Sequence, residues 1–202
     1  MARTLPFLFS IMTPLDLDPV STAVVLIDLQ QGITGLKLAP HASADVVRRG
    51  RQLADTFREC GATIVFVRVQ LTEMASLPVD APGRPPGAAP PPPAAMELVP
   101  EAGFRPGDLL VTKRQWGAFY GTDLDQHLRR RRVRTIVLGG IATNFGVEST
   151  ARAANERAFE LVLAEDAMSS LSAEAHAFSI QTVFPRIGRV RTTEQIIAGI
   201  RP

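Results

Sequence analysis

Thr22-Ala-Val-Val-Leu-Ile-Asp28 is apolar from its second residue to its sixth and stops in an acid. A strand with one wet face alternates polar and apolar residues. A run that is apolar throughout predicts a strand covered on both faces, as in a parallel sheet. The pattern recurs in Ala62-Thr-Ile-Val-Phe-Val-Arg68, Asp108-Leu-Leu-Val-Thr-Lys113, Thr135-Ile-Val-Leu-Gly-Gly140 and Phe159-Glu-Leu-Val-Leu-Ala164. Ile187-Gly-Arg-Val-Arg191 is a short sixth candidate. Helical patterns lie between these runs. Residues 44–60 space Val46, Val47, Leu53, Ala54 and Phe57 along one face and end before Gly61. Residues 123–132 carry Leu124 and Leu128, 146–158 are alanine-rich, and 173–183 stop before Pro185. Strands alternating with helices of this length predict an α/β fold: three layers, doubly wound, with a mostly parallel sheet.

At 202 residues the chain fits a single domain. Residues 21–202 are assigned to it, and residues 1–20, with Pro6 and Pro14, are read as a loose N-terminal arm. No run of about 18 apolar residues exists, which argues against a membrane partner. The single cysteine, Cys60, excludes an internal disulfide and suits a reducing cytoplasm. The net charge is only +2, and the run Arg129-Arg-Arg-Arg132 reads as a solvated helix end, so no nucleic-acid partner is expected. Residues 77–106 break the rhythm with ten of the sixteen prolines, including Pro90-Pro-Pro-Pro93. They predict a disordered or polyproline surface excursion; the functional alternative is a lid or an oligomer arm.

In an open parallel sheet, ligands bind outside the carboxyl ends of the strands. Three such ends carry chemistry here: Asp28, Lys113, and Ile141-Ala-Thr-Asn-Phe-Gly146, which leads into a helix whose first N–H groups suit an oxyanion. An acid directly after a buried strand is costly without a purpose. Burial raises its pKa and a nearby Lys113 lowers it. Lysine occurs only at positions 37 and 113 in a chain that otherwise uses arginine, so Lys113 marks a place that needs a compact ammonium.

These segments resemble the isochorismatase-like hydrolases, the cysteine hydrolase superfamily. Val-Leu-Ile-Asp28-Leu-Gln30 is similar to the family's first motif, and Lys113 with Phe119 and Thr122 to its second. Gly140-Ile-Ala-Thr-Asn-Phe-Gly-Val-Glu-Ser-Thr-Ala is similar to its third, and Glu165-Asp-Ala after the fifth strand also fits. The resemblance runs from about residue 22 to residue 200. It implies Asp28, Lys113 and the Gly146 backbone as catalytic groups and a cis peptide at Ile141–Ala142. The candidate substrate site takes in Gln30 and Ala142, with Trp116, Phe119, Tyr120 and Phe145 as an aromatic lining; core packing is the equal alternative for Phe119 and Phe145.

Two departures stand out. Amidase members carry a nucleophilic cysteine where this chain has Gly146. Isochorismatases proper, which cleave a vinyl ether, also carry glycine there, but their histidine-containing third motif is replaced by Ala142-Thr-Asn144. Nicotinamidase-type members hold a metal through Asp and His after the second strand. Here that place reads Gln70-Leu-Thr72, while His41, His127 and His176 fall on unrelated elements, so neither metal nor cofactor is expected. Glu148 reads as a helix-start acid paired with Arg152. The resemblance thus implies a homo-oligomeric hydrolase of a small molecule, breaking a vinyl-ether or C–N bond through Asp28 and Lys113 without a covalent cysteine intermediate. The alternative is a catalytically silent relative that binds a small molecule or serves as a scaffold.

Overall fold

The computed structural model describes residues 14–201 except 76, 84 and 86. Six parallel strands form one sheet: β1 (Thr22–Ile27), β2 (Thr63–Val69), β3 (Leu109–Lys113), β4 (Thr135–Ile141), β5 (Glu160–Ser169) and β6 (Arg189–Arg191). Their order is β3-β2-β1-β4-β5-β6, and every neighbouring pair runs parallel. The helices are α1 (Gln31–Thr34), α2 (Ser43–Glu59), α3 (Leu124–Arg130), α4 (Glu148–Glu156), α5 (Ala173–Phe178) and α6 (Thr193–Ala198). The domain is therefore a three-layer α/β fold. None of its described helices is long and apolar enough to cross a membrane.

The apolar runs produce two cores because successive strand side chains face opposite ways. Ala23, Val25 and Ile27 pack with Leu124 and Leu128 of α3 and Ala151 and Ala154 of α4. Val24 and Leu26 pack on the other face with Leu53, Ala54 and Phe57 of α2 and Ile196 of α6. All six β1 residues are buried. Polar side chains here would have been desolvated whichever face they took, which is why the run does not alternate.

Several boundaries differ from the sequence reading. The stretch expected as one helix from residue 146 begins as a π turn, Thr143–Val147, before α4. Likewise α5 ends at Phe178 and passes into a second π turn, Ser179–Val183. Strand β5 runs on through Glu165 and Asp166, so these acids sit in the strand and not after it. Asp166 Oδ1 accepts from the Thr193 backbone and hydroxyl, anchoring α6. That helix starts in a capping box between Thr192 and Gln195, a Thr-x-x-Gln signal present in the sequence.

The arm and the proline-rich segment also behave differently. Residues 1–13 of the expected arm lie outside the described residues. Leu15 and Leu17 are buried, and the Leu17 backbone bonds Gly199 and Arg201 beyond α6. Residues 77–106 are only in part a surface excursion. Short 3-10 turns form at Pro93–Met96 and Pro100–Ala102, with Ala95, Met96 and Ala102 buried. The Gln31 N–H donates to Glu97 and the Val99 N–H to Leu29, which ties this stretch to the end of β1.

The pairing of β4 with β5 shifts register between Leu138 and Gly140. Gly140 takes φ +116°, and a Cβ built there would lie 2.1 Å from the Ile27 carbonyl oxygen. Only glycine permits β4 to pass β1 this closely. Gly140→Ala is expected to cost more than ~3 kcal/mol, since backbone cannot move aside as a side-chain tip can. Urea denaturation of this variant beside the parent measures it.

Candidate active site

The strand order reverses between β1 and β4: from β1 the chain builds outward to β2 and β3, and from β4 to β5 and β6. The carboxyl ends of β1 and β4 therefore flank a crevice at the topological switch point. Asp28 leaves β1 with φ +54°, a left-handed conformation that aspartate tolerates better than most side chains. The residues after β4 turn away through the Ile141–Ala142 bond, which is cis, as the resemblance implies.

Lys113 ends β3, two strands from β1, and its long side chain crosses β2 to reach Asp28. Nζ donates to Asp28 Oδ2 at 2.7 Å and to the Gln115 carbonyl at 3.2 Å. Both residues are nearly inaccessible, Lys113 at 2% and Asp28 at 5% exposure. Asp28 Oδ1 is buried with no hydrogen-bond partner among the described residues. Burial pushes the Asp28 pKa up to about 6 against the opposing pull of Lys113. Of the two pushes read from the sequence, burial wins.

Gly146 completes the group. A Cβ built on it would lie 3.4 Å from Asp28 Oδ2, 3.1 Å from Ile27 Cγ2 and 3.4 Å from the Trp116 carbonyl oxygen. Position 146 thus faces the Asp28 carboxylate directly. The Trp116 and Phe145 rings meet at 4.9 Å beside it, with Trp116 54% exposed and Phe145 half-buried. Ala142 is partly buried, and its carbonyl accepts from the Phe145 and Val147 N–H groups, shaping the turn.

Two expected substrate contacts go elsewhere. Gln30 is fully buried: its Oε1 accepts from the Val69 N–H, and its Nε2 donates to the Val69 and Met96 carbonyls. It clamps β1, β2 and the proline-rich stretch together. Phe119 sits in the core at 5% exposure, stacked on Phe159 at 6.0 Å with the Arg157 guanidinium over its ring. Glu148 forms its pair with Arg152 at 2.9 Å and also accepts from the Ser179 hydroxyl. Two surface clefts, one around Thr63 and Leu109 and one around Leu161 and Gly188, lie at the amino ends of strands, away from Asp28.

The histidines lie on separate elements, as read from the sequence, but two of them meet in space. His41 precedes α2, His176 lies on α5, and Glu165 lies on β5, yet these three side chains converge. His41 Nε2 is 3.7 Å from Glu165 Oε2, and the two imidazole rings meet edge-to-face at 5.6 Å. His176 is buried, and that burial, reinforced by His41, holds its pKa down near 4. Sequence separation hid this cluster; only the parallel topology, which carries all three segments to one edge, brings it together.

An isochorismatase domain model matches residues 22–195. The chain is 48% identical over 198 residues to the uncharacterized isochorismatase family protein YecD of Escherichia coli O157:H7, covering 92% of this chain and all of that protein. It superposes on an isochorismatase family protein from Burkholderia thailandensis with a TM-score of 0.85 and 41% identity, covering 93% of this chain and 98% of that one. A local match of 36% identity over 110 residues, 52% of this chain and 42% of the relative, reaches the ureidoacrylate amidohydrolase RutB of Variovorax paradoxus.

The geometry at Gly146 has a direct test. Cys60 is exposed and would react first, so the background is Cys60→Ser. On it, Gly146→Cys is expected to gain one carbamidomethyl group from iodoacetamide under native conditions, read by intact mass. Labelling only after denaturation would show that this position does not open to solvent.

Proposed function

The chain belongs to the isochorismatase family, and from that premise we propose that it hydrolyses a small metabolite without a covalent cysteine intermediate. The observation that carries this reading is the buried Asp28–Lys113 pair facing Gly146, an acid–base group beside a nucleophile's place that holds no side chain. The exposed, unpaired Cys60 sits at the end of α2, on the far side of the sheet's length, and supplies no substitute.

Oδ2 of Asp28 accepts from Lys113, so a proton taken up by the carboxyl resides on Oδ1. With a vinyl ether, protonated Asp28 gives that proton to the alkene carbon. Water captures the resulting oxocarbenium ion and returns a proton to ionised Asp28, and the neutral hemiketal collapses to carbonyl and alcohol. With an amide or ureido substrate, ionised Asp28 takes a proton from water as its oxygen adds to the carbonyl. The Ala142 and Gly146 N–H groups then receive the oxyanion, and Asp28 returns the proton to the leaving nitrogen. Each acid–base step contributes ~10²–10⁴-fold, and oxyanion donors contribute a similar factor. Lys113 holds the carboxylate in place throughout. Trp116 and Phe145 supply an apolar wall for the substrate. A cytoplasmic setting is part of this reading, supported by one unpaired cysteine.

The test is turnover on a panel of vinyl ethers, amides, imides and ureido acids, the last included because of the match to an amidohydrolase. Asp28→Asn and Lys113→Ala are each expected to lose ~10²–10⁴-fold in kcat while keeping the parent's circular dichroism. The pH profile separates the two routes. Acid catalysis needs the proton on Asp28, so the rate falls as pH rises through about 6; base catalysis needs the carboxylate, so the rate rises through the same value. No turnover on any class would favour the silent, ligand-binding alternative.

Homo-oligomer formation is also proposed, supported by exposed Trp116, Tyr120, Leu171 and Phe178 in segments that follow strand ends. Light scattering at micromolar concentration should give at least twice the mass of one chain; a monomer mass would reject it.

A further inference from the structure

We propose that His41, Glu165 and His176 form a binding site for a zinc-class divalent cation. The acid–base chemistry of Asp28 does not use these residues. Their ligand-capable atoms all lie within 4.8 Å of one another, and the His41–Glu165 edge is already 3.7 Å. A tetrahedral site with metal–ligand bonds of ~2.0–2.1 Å needs ligand atoms ~3.3 Å apart. A closure of at most about 1.5 Å reaches this. The two side chains that must move are the partly exposed ones, His41 at 26% and Glu165 at 31%.

The third ligand has a hydrogen-bond partner on one ring nitrogen. His176 is buried, and its Nδ1 lies 2.9 Å from the Thr143 hydroxyl. In the tautomer whose Nδ1–H donates to the Thr143 hydroxyl, Nε2 carries the lone pair. This is how ligating histidines are held, by a partner on the other ring nitrogen. The His41 backbone is pinned as well: its N–H donates to Ser169 Oγ at 3.2 Å, and its carbonyl accepts from that hydroxyl at 2.8 Å. Three ligands from three elements, open to solvent on the His41–Glu165 side, leave a fourth position for water. Two imidazoles and one carboxylate select zinc or cobalt over magnesium and calcium, which prefer all-oxygen shells. A bound ion would link the loop before α2, strand β5 and helix α5. Through Thr143 it would also brace the turn that carries Ala142 and Gly146.

The experiment uses the full chain, stripped of metal, in a Cys60→Ser background so that the exposed thiol cannot contribute. Zinc is titrated in competition with a chromophoric chelator. One ion per chain is expected. Cobalt in its place should give the intense visible absorption of a tetrahedral site, and millimolar magnesium should not compete. His41→Gln and Glu165→Gln should each weaken zinc binding by more than the ~10–100-fold typical of outer-shell changes, with circular dichroism unchanged. Thr143→Val should weaken it by ~10–100-fold while leaving one ion per chain. Stoichiometry well below one, or affinity untouched by both His41→Gln and Glu165→Gln, would overturn the proposal. Loss of binding in a His127→Gln variant would overturn it too, by placing the ion on α3.

Discussion

The ion pair between Lys113 and Asp28 is the constraint on which the rest of this end of the molecule depends. Two opposite charges are held 2.7 Å apart at 2% and 5% exposure. Removing either partner alone would leave the other buried and uncompensated, typically a cost of ~3–5 kcal/mol. The pair forms only if β3, β2 and β1 keep their register, because Lys113 must reach Asp28 across the end of β2. That register is fixed from both sides. Val69 pairs with Lys113 in the ladder, and the Asp28 N–H donates to the Val67 carbonyl. Gln30 then locks the same strand ends with three buried bonds to backbone. A residue expected to touch substrate thus stabilises the platform on which the charged pair stands.

The fold was legible because burial on both faces leaves a plain mark on sequence. All six strands of the sheet lie within a residue or two of the apolar runs, except that β5 continues five residues past Ala164. The miss has a cause: Glu165 and Asp166 break the apolar pattern, yet both stay in extended backbone because each has a partner, His41 and Thr193. The proline-rich stretch was misread for a related reason. Composition records the conformational stiffness of proline but not the buried Ala95 and Met96 that dock its far end beside Gln30.

The candidate site was legible to a different depth. Asp28 and Lys113 lie at strand ends and Gly146 in the turn between β4 and α4, so topology brings them together. Phe119 and Gln30 lie in the same motifs and point elsewhere, one into the core and one into the backbone of β2. Motif membership places a residue near a site; it does not say which way the side chain turns. The His41–Glu165–His176 cluster is the reverse case, carried by no local pattern and assembled wholly by the crossing of three segments.

Glycine at position 146 and the carboxyl of Asp28 face one another across a short gap. Any side chain at 146 would project to within 3.4 Å of Asp28 Oδ2 and share its environment. Among the described residues the carboxyl has Lys113 as its one ionic partner and an Oδ1 that accepts no hydrogen bond, and burial raises its pKa to about 6. A carboxyl poised there is within reach of either role near neutrality, donor just below that value and acceptor just above it. A cysteine at 146 would instead place a nucleophile against the same oxygen and commit Asp28 to taking its proton. On the function proposed above, the absent side chain at 146 is what leaves this pair of charges to act on water.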